Sequence, residues 1–453
     1  MARAVPTLLL IAGLVLAGCG TAAPRGDDDG AATGSGGMLA MDALVVEHAP
    51  EPIDAGGPGP SSLTLLDAVR RTVEHDPRLQ VALAKVRSAR ADASQARLLP
   101  NPILSVAVRF REGGGTPITD IGLAADLVGM LQRPRKISAA DNTLRAAVRG
   151  VMTEVLDACA EAHEAYAAAR AVDQELAALR ERRARSDRLL EMGRARLKVG
   201  ESSRLDVMVL ESERLGIDVE IDDKQAERTE ARLALARLIG APGGDIEWDL
   251  TTPHAVDPPG ATEGQWLDAA LRSRPEVLAK RWELAALGDE SAMSAWAPWE
   301  GGDVGAQSEY DAGWSLGPAV NTPLPLFDWG QAKRAKAKAA QLQARHEMTD
   351  LRRKVVEEVR SAVARYVASV DTLRKARDEL LPLQQKRWEQ TRASYEAGEL
   401  DLAAMMLAEE DLSAARGTVI ALEKKAASAS VKLLRAAGGG GPIEPRGDTR
   451  SQP

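Results

Sequence analysis

The sequence predicts a mainly α protein with a small β part, made from one unit used twice, and three observations carry that reading. First, RARLKVGESSRLDVMVLESERL around Gly200 returns as RASYEAGELDLAAMMLAEEDL around Gly398, 198 residues later. The same offset takes Pro77 to Pro275 and Pro100 to Pro298. Second, apolar residues step by three and four over long stretches, the spacing of a helix seam. Third, aromatic residues are only 3% of the chain, while Ala, Arg, Glu and Leu abound, a composition of long helices. A repeat this long is no solenoid unit, so the two copies fold as one body.

The elements follow in order. Residues 1–18 read as a signal peptide: Met1, Ala2 and Arg3 precede an apolar run too short to span a bilayer. The run ends Leu16-Ala17-Gly18-Cys19, which looks like a bacterial lipobox with Cys19 as the lipidated residue. An ordinary signal peptide is the alternative. Residues 19–60, rich in Gly, Pro, Asp and Ser, read as a flexible tether. The first unit is placed at 61–242. Ser61 and Ser62 are candidate caps for a helix from Leu63 to Leu99, broken or kinked at Pro77. Pro100, Asn101 and Pro102 stop it. ILSVAVRF then alternates, with Leu104, Val106, Val108 and Phe110 on one face and Ser105, Ala107 and Arg109 on the other, as in a half-buried strand. A weaker strand sets Ile121, Leu123 and Ala125 against Asp120 and Gly122.

From about Pro134 the period lengthens. Val148, Val151, Val155, Ala158, Ala162, Ala165, Ala169, Val172, Leu176 and Leu179 form a seam of more than four heptads. Gly200 ends this helix, and a return helix runs from about Ser203 to Ile239. A linker at 243–261 leads to the second unit at 262–437, which repeats the plan. Its helix runs from Thr262 to Ala297. Weak strands follow at Asp303–Tyr310 and Trp314–Val320. A long helix has the seam Val356, Val359, Val363, Tyr366, Val370, Leu373 and Leu380, with a kink expected at Pro382. Gly398 breaks it, a last helix ends near Ala437, and 438–453 is a Gly-rich tail.

Composition narrows the function. Net charge is −8, and no basic stripe with interleaved aromatics appears, so nucleic acid is not an expected partner. The histidines are scattered, and no HxxxH, CxxC or phosphate loop is present, so no catalytic residue, metal site or cofactor is expected. With Cys19 acylated, Cys159 has no disulfide partner and reads as a small core residue. Met405 and Met406 read as packing. No 18-residue apolar run follows the leader, so any membrane span must come from strands or from lipid. Four strands are too few for a barrel; three chains would supply twelve.

These segments resemble the TolC family of outer-membrane efflux and secretion channels over residues 63–437. LTLLDAVRRTVEHDPRLQVALAKVRSARAD is similar to the family's opening helix, LLPNP to its helix-to-strand boundary and LARLIG to the end of its first half. PLPLFDWGQAKRAKAKAA is similar to the start of its second long helix. LKVGESSRLDV and YEAGELDL are similar to its hairpin turns. The resemblance implies a homotrimeric α-barrel tunnel capped by a shared 12-stranded outer-membrane β-barrel. It implies lipid-anchored placement in the outer membrane, extending into the periplasm. It also implies that the hairpin tips dock on a periplasmic adaptor, or membrane fusion protein, that links the channel to an inner-membrane pump of RND type. The tip residues are Val199, Gly200, Glu201, Ser202, Ser203, Arg204, Leu205 and Asp206, and Ala397, Gly398, Glu399, Leu400 and Asp401. The second copy departs from the pattern, with Ala404, Met405 and Met406 where the first has Asp206, Val207 and Met208. GLAADLVGMLQRPRKISAAD faintly resembles the heavy-metal subgroup, with Arg133, Pro134, Arg135 and Lys136 in place of a Gly-Lys-Arg stretch. Small molecules or metal ions are the expected cargo. A type I protein-secretion channel is the alternative, and a lipid-anchored periplasmic scaffold or adaptor without a pore is a reading of another class. An adaptor should have one hairpin, whereas this chain has two.

Cys19→Ala is expected to abolish incorporation of labelled fatty acid while leaving self-association intact; absence of label in the unmutated chain would remove the lipobox.

Overall fold

The structure, a computed structural model, describes residues 62–114, 116–251, 261–311 and 313–440. The leader, Cys19, the tether, Ser61, residues 252–260 of the linker and the tail from 441 lie outside the described residues.

The first helix begins later than Leu63. Ser62–Leu63 form a short strand, β1, parallel to β4 at Asp249–Leu250. Thr64, rather than Ser61 or Ser62, caps α1 (Leu65–His75) by accepting from the Asp67 N–H. Leu63 is fully buried because β1 seats it against Trp248, Leu235 and Ile239. A two-residue strand has no period, which is why the sequence hides it. Pro77 does break the helix: Asp76 caps α2 (Pro77–Ala96), with the proline at its first position, where no N–H is needed.

After β2 (Ile103–Arg109) and β3 (Ile118–Asp126), α3 runs unbroken over Leu127–Val199. At 73 residues it is about 110 Å long. It starts seven residues before Pro134, because Asp126 caps it by accepting from the Gly129 N–H; Pro134 is accommodated inside the helix. The return helix α4 (Arg204–Leu238) is followed, after β4, by α5 (Glu263–Ser273) and α6 (Pro275–Met293). The single helix expected from Thr262 to Ala297 is therefore split at Pro275 and finishes in a 3-10 turn at Ser294–Trp299. Strands β5 (Asp303–Tyr310) and β6 (Trp314–Asn321) follow. Helix α7 (Gln331–Lys375) passes through a π turn at Ala376–Leu380 into α8 (Leu381–Glu396), and α9 (Leu402–Ala436) returns. The bend expected at Pro382 is this π turn, placed just before a residue that cannot donate to the preceding turn.

The long helices form an array one layer deep. Near the sheet, α3 packs between α2 and α6, and α6 packs on α7. Near the tips, α3 packs between α4 and α9, and α9 packs on α8. Each unit thus covers its long helix with two shorter ones stacked end to end. The joints are tight: a Cβ on Gly240 (φ +77°) would lie 2.5 Å from the His75 Cβ, and one on Gly438 would lie 3.0 Å from the Arg274 Cα. Only glycine gives this left-handed cap without added strain.

The seam of α3 is the core. Val148, Val151, Val155, Ala158, Ala162, Ala169, Val172 and Leu176 are buried; Ala165 and Leu179 are half-buried. Cys159 is half-buried and packs against the core cluster that α2 and α3 share. In α7 the seam is displaced. Val355, Val359, Ala362, Ser369 and Ala376 are buried, whereas Val356, Val363, Tyr366, Val370 and Leu373 are half-buried and Leu380 is exposed. The buried positions of the two long helices match at an offset of 200, as Val148 with Met348 and Ala162 with Ala362. The tips match at 198. The change of phase falls between Ser369 and Gly398, the stretch holding the π turn.

The sheet order is β2-β3-β5-β6, antiparallel throughout. All of β2 is exposed rather than half-buried, because it is an edge strand in a sheet with no second layer. Pairing puts Val106, Ile121, Ser308 and Leu316 side by side, and likewise Leu104, Leu123, Ala306 and Pro318. One face is therefore mainly apolar across all four strands, with Ser308 the exception in these two rungs. The other carries Ser105, Gly122, Gln307 and Gly317.

At the second joint, Glu276 Oε1 lies 2.6 Å from Arg435 Nη2 and its Oε2 3.4 Å from Arg274 Nε. Burial pushes this carboxyl up, but Arg435 and Arg274 outweigh burial and hold it below its ordinary value of 4.5. A carboxylate depressed in the folded state contributes stability above its unfolded pKa and loses it as pH falls through the folded value. Melting temperature is thus expected to drop as pH falls from 4.5, and Glu276→Gln is expected to flatten that drop; an unchanged slope in thermal melts would contradict it.

Candidate functional site

Both hairpin tips are built the same way. At the first, Gly200 takes φ +81°, donating to the Leu197 carbonyl at 3.2 Å while Glu201 donates to Arg196 at 2.9 Å. At the second, Gly398 takes φ +78°, donating to Tyr395 at 3.0 Å while Glu399 donates to Ser394 at 2.9 Å. This is the paired bonding of a Schellman cap, which turns the chain sharply and leaves the next residues free to start a helix.

The two following helices are capped differently. Ser203 Oγ accepts from the Asp206 N–H at 3.1 Å, and Asp206 Oδ2 accepts from the Ser203 N–H at 2.8 Å and from Ser202 Oγ at 3.1 Å. In this capping box the hydrogen bond from the Ser203 backbone, then those from the Ser203 and Ser202 side chains, hold the Asp206 carboxyl below its ordinary value. In the second copy, Asp401 stands where Ser203 does and accepts from the Ala404 N–H at 2.9 Å. The acid absent at Ala404 is therefore present three residues earlier, as the cap itself. Both arrangements put negative charge at a helix N-terminus, where the backbone favours it.

The structure exposes Val199, Gly200, Glu201, Ser203, Arg204 and Leu205 at one tip and Ala397, Gly398, Glu399, Leu400 and Asp401 at the other; Ser202 and Asp206 are half-buried. Val199 and Leu205 at the first tip are 71% and 68% exposed and Leu400 at the second is 41% exposed, so each tip offers apolar side chains beside its acids. Behind them Leu189, Leu190, Val207, Leu210, Tyr395 and Met405 form a shared core. Met405 is fully buried there, as packing requires, and Met406 is half-buried.

Sequence reasoning missed the link between the tips. Arg196 stacks 4.6 Å over the Tyr395 ring and donates to the Tyr395 and Glu396 carbonyls at 2.7 and 3.2 Å. The guanidinium so caps the end of α8 from the other hairpin. Nothing in one sequence pairs residues 199 apart. Arg133 and Arg135, singled out near the start of α3, are used in packing: Arg133 donates to the Arg97 carbonyl at 2.6 Å, and Arg135 lies 3.7 Å from Asp289. Among the described residues no group of three His, Cys, Asp or Glu is placed to hold a metal ion, and no helix is long and apolar enough to cross a membrane.

No protein-family model matches the sequence, and no curated protein matches it. The fold does have solved counterparts. The outer membrane protein VceC of Vibrio cholerae superposes with a TM-score of 0.69 at 18% identity, over 83% of this chain and 96% of that one. CusC, described for its transmembrane channel formation, does so with a TM-score of 0.70 at 18% identity, over 88% and 100%. The CmeC outer membrane channel of Campylobacter jejuni gives 0.68 at 14% identity, over 88% and 94%. The chain has the fold of the TolC-like outer membrane factors.

Arg196→Ala is expected to loosen the second tip by about 1 kcal/mol, read as a roughly fivefold rise in amide exchange for residues 395–400; unchanged exchange would show that the tips stand independently.

Proposed function

We propose that the chain is one third of an outer-membrane channel and serves a tripartite efflux pump as its passive conduit. The observation that carries this reading is that both layers of the molecule end in open edges on the same two sides. In the sheet, β2 and β6 each lack a neighbour among the described residues. In the helix array, α2 and α4 bound one side and α7 and α8 the other. Open strand edges are rarely left unpaired, and closure into a ring abolishes them. Unlike edges meeting head to tail build a closed ring. Three copies give twelve strands, enough for a barrel with a bore.

The polarity of the sheet supports membrane placement. Its apolar face is bounded by exposed aromatics at both ends: Phe110 and Trp314 at one, Trp296, Trp299, Phe327 and Trp329 at the other. Both phenylalanines of the chain are in this set. Such girdles flank the apolar band of outer-membrane barrels. A lipid on Cys19 would add a second anchor. The helical tunnel then extends into the periplasm, and the tips carry the apolar and acidic residues that an adaptor hairpin would meet. Small molecules or metal ions delivered by an inner-membrane pump of RND type are the cargo of this reading. The solved counterparts named as channels support the conduit role.

Two measurements test the reading together. Detergent-extracted protein is expected at the mass of three chains. In cells, Ser202→Cys or Glu399→Cys is expected to crosslink to a periplasmic adaptor. Crosslinking only from half-way positions such as Glu220→Cys would overturn the tip assignment, and a stable monomer would overturn the ring.

A further inference from the structure

We propose that the polar face of the sheet is a cation filter, with Asp120 and Glu309 as its selective belt near the outer mouth and Arg109 as the group that sets its strength. This rests on the ring reading above, which turns that face toward the bore. The strand register fixes the belt. Ala107, Asp120, Glu309 and Ser315 are direct cross-strand partners on β2, β3, β5 and β6, so one rung of the ladder carries two carboxylates and two small side chains. The next rungs toward the helices are Ser105, Gly122, Gln307 and Gly317, then Ile103, Ala124, Gly305 and Ala319. They hold no charged side chain, so the Glu309 carboxylate meets no opposite charge on that side, while Asp120 lies packed beneath Arg109.

Arg109 leans across from its own strand. It pairs with Asp120 Oδ2 and lies 3.9 Å from Glu309 Oε2. One guanidinium meets two carboxylates, leaving each copy of the belt one negative charge in excess. Asp120 is 7% exposed, and its Oδ1 has no hydrogen-bond partner. A buried carboxylate oxygen without a partner is costly and is best relieved by a hydrated cation or its water. Glu309 is 42% exposed at its side chain, which leaves its charge available to the bore. Outside this rung Arg111 and Asp311 pair with each other and cancel. A like-charged ring in a low-dielectric wall focuses the field and concentrates ions of the opposite sign.

The test uses the full chain in planar lipid bilayers under a tenfold KCl gradient, with the reversal potential as readout. The unmutated channel is expected to prefer potassium over chloride. Glu309→Gln and Asp120→Asn are each expected to lower that preference by about twofold or more, and Arg109→Gln to raise it. Glu309→Gln removes no buried bond, so it serves even where Asp120→Asn disturbs folding. Conducting channels whose reversal potential is the same in all three variants, or anion preference in the unmutated chain, would overturn the filter. A chain that forms no conducting pore would overturn the channel reading, and the filter with it.

Discussion

The structure depends on the covering of α3. A helix of 73 residues with a seam of Val and Ala cannot stand alone in water, because its apolar stripe runs almost its whole length. Small side chains bring the neighbouring backbones close but supply little area each, so the stripe must be covered without gaps. No single neighbour does so. Helices α2 and α4 divide one flank, and α6 and α9 divide the other. The stacked joints, the glycine caps and the short β1–β4 pair all exist where one covering helix ends and the next begins. At the first joint Tyr166 fixes the arrangement, its hydroxyl lying 2.9 Å from the Leu63 carbonyl and 2.7 Å from that of Thr251.

Much of this was legible in the sequence. Pro77, Gly200 and Gly398 are places where backbone chemistry leaves few choices, and the chain breaks there as expected; Pro275 breaks it in the same way as Pro77 but was read through. The seam of α3 was legible because β-branched and small residues alternate without interruption. The seam of α7 was not, since it takes its phase from an offset of 200 while the visible landmarks keep 198. Ala362, Ser369 and Ala376 are too small and too common to betray it. The apolar face of the second strand pair was hidden for another reason. Val304 and Ala306 alone carry little apolar signal, and the face becomes evident only when the register sets Leu316, Pro318 and Val320 beside them. The helix start near Ser203 was legible, but its capping box was not read, and the Arg196 contact with Tyr395 depends on tertiary approach.

The duplication is strict in its turns and helix breaks and loose in its charges. Asp76 and Arg274 occupy matching joints with opposite sign: the acid caps α2 and is bound by Arg78, while the arginine sits among Glu276 and Glu358. The backbone solution was kept and the electrostatic one was rebuilt around it, as the exchange of Ser203 and Asp206 for Asp401 also shows.

The end-to-end joints carry a mechanical meaning. At mid-height only α3 and α7 pass through as continuous rods; the covering helices are interrupted there and meet through glycine and a few side chains. A bending load applied at the tips therefore reaches the sheet through two beams per chain, while the interrupted members can shear past each other at the joint. In the ring proposed above, a tube framed in this way would be stiff along its axis and compliant across its lower half, so displacement at the hairpins would not distort the strands above.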